Sequence, residues 1–226
     1  MKLIRFFTIA FLILSFFSCE KEEVIKDYPT IPELSFISFT ISNANEYGID
    51  ILIFRFSYKD GDADLGYVDP FVEPWIFVKD ANDNFIHYGT VDTLPAYNCR
   101  DWGLEYNGNE GKMDTLYQVP NPEATNFYMD LYVYENGKEK KIDFLRDFCA
   151  AGFNARFKDV NNPNTYPGFP FKVYAKNQFE GEMEYKFLTG LRYIVGNNPF
   201  KFKMSVRDNA MNFSNVIETE IMELEI

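Results

Sequence analysis

Residues 126–135 read Asn-Phe-Tyr-Met-Asp-Leu-Tyr-Val-Tyr-Glu. Phe127, Met129, Leu131 and Val133 alternate with Tyr128, Asp130, Tyr132 and Tyr134, the period of two that puts one set of side chains on a buried sheet face and the other toward water. Asn136-Gly137 follows, a dipeptide that accepts the positive φ angles of a two-residue hairpin turn, so Lys138 to Phe144 is expected to return as the partner strand. Upstream, Leu34 to Ile41 reads as a first strand. Ile49 to Tyr58 is apolar on both faces at its start, the mark of a central strand. Pro74 to Lys79 and Phe85 to Thr90 flank the polar cluster Asp80-Ala81-Asn82-Asp83-Asn84 and predict a second hairpin. Further strands are expected at Phe171 to Lys176, Glu182 to Leu188, Phe200 to Arg207 and Val216 to Leu224. One or two helical turns fit between Asp143 and Phe157, and Thr93 to Gln118 and Asn154 to Pro170 read as long irregular loops. Many short strands separated by turn residues define an all-β chain, a β-sandwich or barrel.

The composition agrees. Aromatic residues make up 18% of the chain, with 24 Phe and 15 Tyr, and such side chains suit a pleated, half-buried surface. The chain carries 22 Lys+Arg against 34 Asp+Glu, a net charge of −12. That field repels phosphate backbones, so no nucleic-acid partner is expected.

The amino terminus, MKLIRFFTIAFLILSFFSC, has Lys2 and Arg5, then an apolar run from Phe6 to Phe17, then Ser18-Cys19. Basic start, short apolar core and small residue describe a secretory signal peptide, and the run is short for a transmembrane helix. Loss of residues 1–18 removes Lys2 and Arg5 and leaves 20 basic against 34 acidic residues, a net of −14. The cysteine, followed by Glu20-Lys21-Glu22-Glu23, resembles the lipobox of bacterial lipoproteins, although Phe16 and Phe17 stand where that motif has Leu and a small residue. The resemblance implies lipidation at Cys19 and attachment to a membrane through the lipid. The acidic cluster resembles the surface-export signal of Bacteroidota lipoproteins, which implies an outer-membrane protein exposed on the cell surface. Residues 19–33, charged and carrying Pro29 and Pro32, read as a flexible tether, and 34–226 as the β domain.

Two further segments carry a resemblance. Met204 to Thr219, with Val206-Arg207-Asp208-Asn209-Ala210-Met211-Asn212-Phe213-Ser214-Asn215, resembles the closing hairpin of bacterial immunoglobulin-like domains, which implies an immunoglobulin-like β-sandwich. Phe56 to Gly66 resembles an Asp-Gly-Asp-x-Asp-hydrophobic-Gly segment of Bacteroidota surface lipoproteins, a family without an assigned function.

Asp60-Gly61-Asp62-Ala63-Asp64-Leu65-Gly66 is the leading candidate site. Alternating carboxylates on a glycine-bearing loop can converge on a hard cation, and Ca²⁺ takes oxygen ligands in flexible geometry. Leu65 and Phe71 occupy the positions where an EF-hand needs Gly and Glu, so the cage is of another kind. Asp60, Asp62, Asp64 and Asp69 are the expected ligands, with Glu73 an alternative to Asp69; the competing reading is a solvated acidic turn. Cys99 and Cys149, in an exported chain, are candidates for a disulfide. Trp102, Tyr97 and Tyr106 are candidates for a glycan-binding aromatic platform, with Trp75 reading as core. His87, the single histidine, reads as solvent-facing, and no nucleophile elbow or zinc spacing accompanies it. The expected role is therefore non-catalytic, binding or accessory work at the cell envelope with a protein or glycan partner. A hydrolase of glycans or peptides, or a structural subunit of a surface assembly, are the alternatives.

Overall fold

The computed structural model describes residues 27–43, 49–67, 72–150, 152–160 and 171–224. The expected signal peptide, Cys19, the first part of the expected tether, Asp69 and most of the 154–170 loop lie outside them.

Two four-stranded antiparallel sheets face each other. The first has the order β1-β2-β9-β8, formed by β1 (Glu33–Asn43), β2 (Asp50–Lys59), β9 (Glu180–Thr189) and β8 (Phe171–Ala175). The second has the order β11-β10-β6-β7, formed by β11 (Ile217–Glu218), β10 (Phe200–Val206), β6 (Phe127–Glu135) and β7 (Lys138–Lys141). The chain is an all-β sandwich. The alternation in the sequence becomes the interior. Leu52, Phe54, Phe56 and Tyr58 of β2 and Phe127, Met129, Leu131 and Val133 of β6 are buried, as are Met183, Tyr185 and Phe187 of β9 and Phe200, Phe202, Met204 and Val206 of β10. The two layers meet through aromatic rings. Phe54 approaches Phe202 edge-on at 5.2 Å and Phe56 stacks on Phe127 at 5.9 Å. Such pairs add about 0.5–1.5 kcal/mol each beyond the area they bury. The β6–β7 turn is the expected one, with positive φ at both Asn136 and Gly137.

Two asparagines tie irregular backbone to this core. Asn126, wholly buried, donates from Nδ2 to the Phe157 carbonyl (2.9 Å) and accepts from the Phe157 N–H (2.8 Å). Asn215 accepts from the Leu34 N–H (2.7 Å) and donates to the Leu34 carbonyl (2.9 Å), closing the seam between β1 and the carboxy-terminal segment.

About half of the stretch 93–118, expected to be loop, is strand. A third antiparallel sheet of order β3-β5-β4 contains β3 (Trp75–Phe77), β4 (Trp102–Asn107) and β5 (Lys112–Pro120). The 85–88 segment joins it through the His87–Leu116 bridge. The strands were hidden because β4 and β5 expose Leu104, Tyr106, Met113 and Val119 and bury Trp102, Leu116 and Gln118, so apolar and polar positions do not sort cleanly by face. The helical turn foreseen after Asp143 is α1 (Phe144–Phe148), capped by the Asp143 side chain on the Arg146 N–H. A second turn, α2 (Leu191–Val195), was not foreseen. The last expected strand is reduced to the two residues of β11.

Candidate metal centre

Strand β2 ends at Lys59, and Asp60 turns the chain. Its N–H donates to the Phe179 carbonyl (2.8 Å) and its Oδ2 accepts from the Leu65 N–H (2.9 Å), folding 60–65 into a tight loop. Gly61 donates to the Pro29 carbonyl (2.6 Å), where a Cβ would strike the backbone of Tyr28 and Pro29. Gly66 has φ +97° and lies against the Lys158 carbonyl. On the far side the hairpin after β10 closes down. Ala210 N–H donates to Asp64 Oδ2 (3.0 Å) and Asn209 Nδ2 to the Gly66 carbonyl (2.9 Å). Asp208 is held by Asn212, whose N–H donates to Oδ1 (2.7 Å) and whose Nδ2 donates to Oδ2 (2.9 Å).

These contacts bring together Asp60, Asp64 and Asp208, one carboxylate oxygen from each lying within 4.8 Å of the others. Asp60 is 1% exposed and Asp208 0%. Oδ1 of Asp60 and Oδ1 of Asp64 are buried without a hydrogen-bond partner. Burial pushes the Asp60 carboxyl up to about 7, helped by the Asp62 side chain and the Asp64 charge and opposed by the Leu65 N–H. Burial, then the charges of Asp208 and Asp62, lift Asp64 to about 6 against the pull of the Ala210 N–H. Among the described residues no basic side chain forms an ion pair with any of these aspartates. A cluster of this kind either holds protons or holds a cation. Its donors are all oxygen, which suits a hard ion such as Ca²⁺.

Of the expected ligands, Asp60 and Asp64 meet. Asp62 is exposed on the same loop and acts on both. Asp69 lies outside the described residues, and Glu73 is exposed. Asp208 was missed as a ligand. The only signal was its place in an Asp-Asn-rich turn, and nothing local ties that turn to a loop some 146 residues earlier.

Cys99 and Cys149 are joined in a disulfide, with Cα atoms 5.3 Å apart, linking the loop before β4 to α1. A cleft of about 700 Å³ opens beside it, lined by Trp75, Asp130, Lys141, Asp143 and Arg156 among others. The acids there are already engaged: Asp130 by Lys141 Nζ (2.6 Å) and Asp143 as the cap of α1. Trp102 is 3% exposed, donates from Nε1 to the Pro95 carbonyl and packs edge-on against Tyr88. It is core of the small sheet, whereas Tyr97 and Tyr106 are exposed. His87 is exposed on the same sheet.

Against known proteins, the chain matches no family model, no curated protein and no solved structure. Among the described residues no helix is long and apolar enough to cross a membrane.

Proposed function

We propose that this chain is a non-catalytic binding or accessory domain of the cell envelope, held to the outer membrane by lipid on Cys19 and locked at one pole of its sandwich by Ca²⁺ on Asp60, Asp62, Asp64 and Asp208. The observation that carries the reading is a buried carboxylate cluster in which two oxygens, Oδ1 of Asp60 and Oδ1 of Asp64, have no partner. Leaving a buried charged acceptor unmatched costs stability, and a divalent ion removes both that cost and the mutual repulsion of the carboxylates. The ion would join the β2 loop to the hairpin after β10, segments that hold the tether end and the last strand. Its role is structural. The exposed tyrosines of the small sheet and the adjoining cleft are left as surfaces for an envelope protein or glycan.

Thermal melts in excess Ca²⁺ and in chelator test the cation. At a hundredfold excess over Kd the ion should add about 2.7 kcal/mol, which for a domain of this size is a rise of roughly 5–10 °C. Coincident melts would reduce the cluster to a protonated acidic turn. The anchor is tested separately: Cys19→Ala should move the protein out of the membrane fraction, and retention of the variant there would count against lipidation.

A further inference from the structure

Among the described residues four strands form the outer edges of the two large sheets, and three of them are blunted. β7 is Lys-Glu-Lys-Lys, all exposed. β11 has two residues and β8 has five, with Lys172 among them. Charge and shortness are the usual means of keeping a sheet edge from pairing with another chain. β1 differs. It has 11 residues, and after Glu33 the sequence Leu-Ser-Phe-Ile-Ser-Phe-Thr-Ile-Ser-Asn carries no charge, in a chain of net −12.

Its first half is protected. The Asn215 side chain caps the outward N–H and C=O of Leu34, and a bulge interrupts the register with β2 between Phe36 and Ser38. Among the described residues its second half is bare. Because Leu34 faces outward, the alternation of an antiparallel ladder, shifted by one residue at the bulge, turns the N–H and C=O of Phe39 and Ile41 outward as well. Among the described residues β1 pairs with β2 alone, and no hydrogen bond reaches the outer edge at Phe39 or Ile41. The side chains of Phe39 and Ile41 pack on the core, while that of Thr40 points to solvent.

We propose that this edge is a self-association surface, on which β1 of a second copy adds antiparallel about a two-fold axis at Thr40, joining two four-stranded sheets into one of eight. The register is self-complementary. Phe39 faces Ile41 of the partner subunit in a hydrogen-bonded pair, Ile41 faces Phe39 of the partner subunit in the other, and the two Thr40 side chains meet in the closer, non-bonded pair between them. One patch thus serves both subunits, as an isologous interface requires. Both subunits keep Phe39 and Ile41 on the core side and Thr40 outside. No charge is placed opposite another, which a strand from a charged partner would not achieve as simply. The proposal is independent of the cation and of the anchor.

The test uses the full-length protein, first in the cells that express it and then after purification. Thr40→Cys should give a disulfide-linked dimer on a non-reducing gel, while Lys140→Cys, on the charged β7 edge, should not. In sedimentation, Thr40→Lys and Thr40→Glu should each weaken the dimer at least tenfold. An equimolar mixture of the two should restore it, since opposite charges then meet across the axis. Both variants are surface changes, and unchanged melting curves would show that they fold. A wild-type protein that stays monomeric from micromolar to millimolar concentration would overturn the proposal. So would a dimer indifferent to both charges, or one not rescued by the mixture.

Discussion

Asp60 has one carboxylate oxygen on the Leu65 N–H and the other on no partner, at 1% exposure. Its carboxyl is raised to about 7 and that of Asp64 to about 6, both above the ordinary value near 4 of an unfolded chain. Between those limits the folded protein binds more protons than the unfolded one. The cluster's contribution to cation-free stability is therefore greatest at low pH and falls as pH rises from about 4 through 7, then levels off. Chelated protein should melt lower at pH 8 than at pH 5, and saturating Ca²⁺ should erase most of that difference. Asp60→Asn should respond oppositely in the two media: it melts higher than wild type in chelator at pH 8, because a buried unmatched charge is gone, and lower than wild type in Ca²⁺. A variant below wild type in both would assign Asp60 a purely local role. At the same scale, Asn126→Ala should cost about 1–3 kcal/mol, since it leaves the buried Phe157 N–H unpaired and its carbonyl with only the long bond from the Tyr67 N–H. Denaturant unfolding reads that loss. The sequence showed the aspartates on the β2 loop as a group, because their spacing is local. It could not show that Asp208 joins them or that Asn126 and Asn215 act as strand substitutes, because those roles depend on backbone brought in from far along the chain.

Strands with a clean alternation were legible as elements: β6, β10 and, beyond the buried Asp50 at its start, β2 fill their buried faces with apolar residues, and the Asn136-Gly137 turn carries its own signature. β4 and β5 were not, because their sheet packs on one side with a mixture of Trp102, Leu116 and Gln118 and leaves Leu104, Tyr106 and Met113 in water. Two devices hold the less regular elements. The Cys99–Cys149 bridge closes a separation of 50 residues between the small sheet and α1, worth about 4 kcal/mol in the chain-entropy limit. Reduction, or Cys99→Ala with Cys149→Ala, should lower stability by up to that amount, and two free thiols in unreduced, unfolded protein would remove the bridge from the account. Gly66 supplies a positive φ where a Cβ would enter the Lys158 backbone. Gly66→Ala should therefore cost more than ~1 kcal/mol and weaken Ca²⁺ binding with it, since this glycine positions the loop bearing Asp60 and Asp64.

The whole molecule is an all-β sandwich with a small sheet fastened to it, and the carboxylate cluster sits where the segment before β1, the β2 loop, the β8–β9 turn and the hairpin after β10 converge. Tyr28 packs on Phe179 at 5.3 Å and Pro29 accepts from Gly61, so the segment that precedes β1 meets the domain at the same pole. A bound ion there would steady that segment as well as the loop. The overall class was readable from period-two alternation, aromatic content and turn residues. The convergence was not, since it follows from which strand ends share a pole. Calorimetric titration of Ca²⁺ into metal-free wild-type protein and Asp208→Asn at pH 8 tests the central claim most directly. Asp208 belongs to the site only through the fold and carries no local motif of its own. Saturable binding to wild type with loss of at least tenfold in affinity in Asp208→Asn is the predicted result. No heat of binding to wild type, or equal affinity for both proteins, would contradict it.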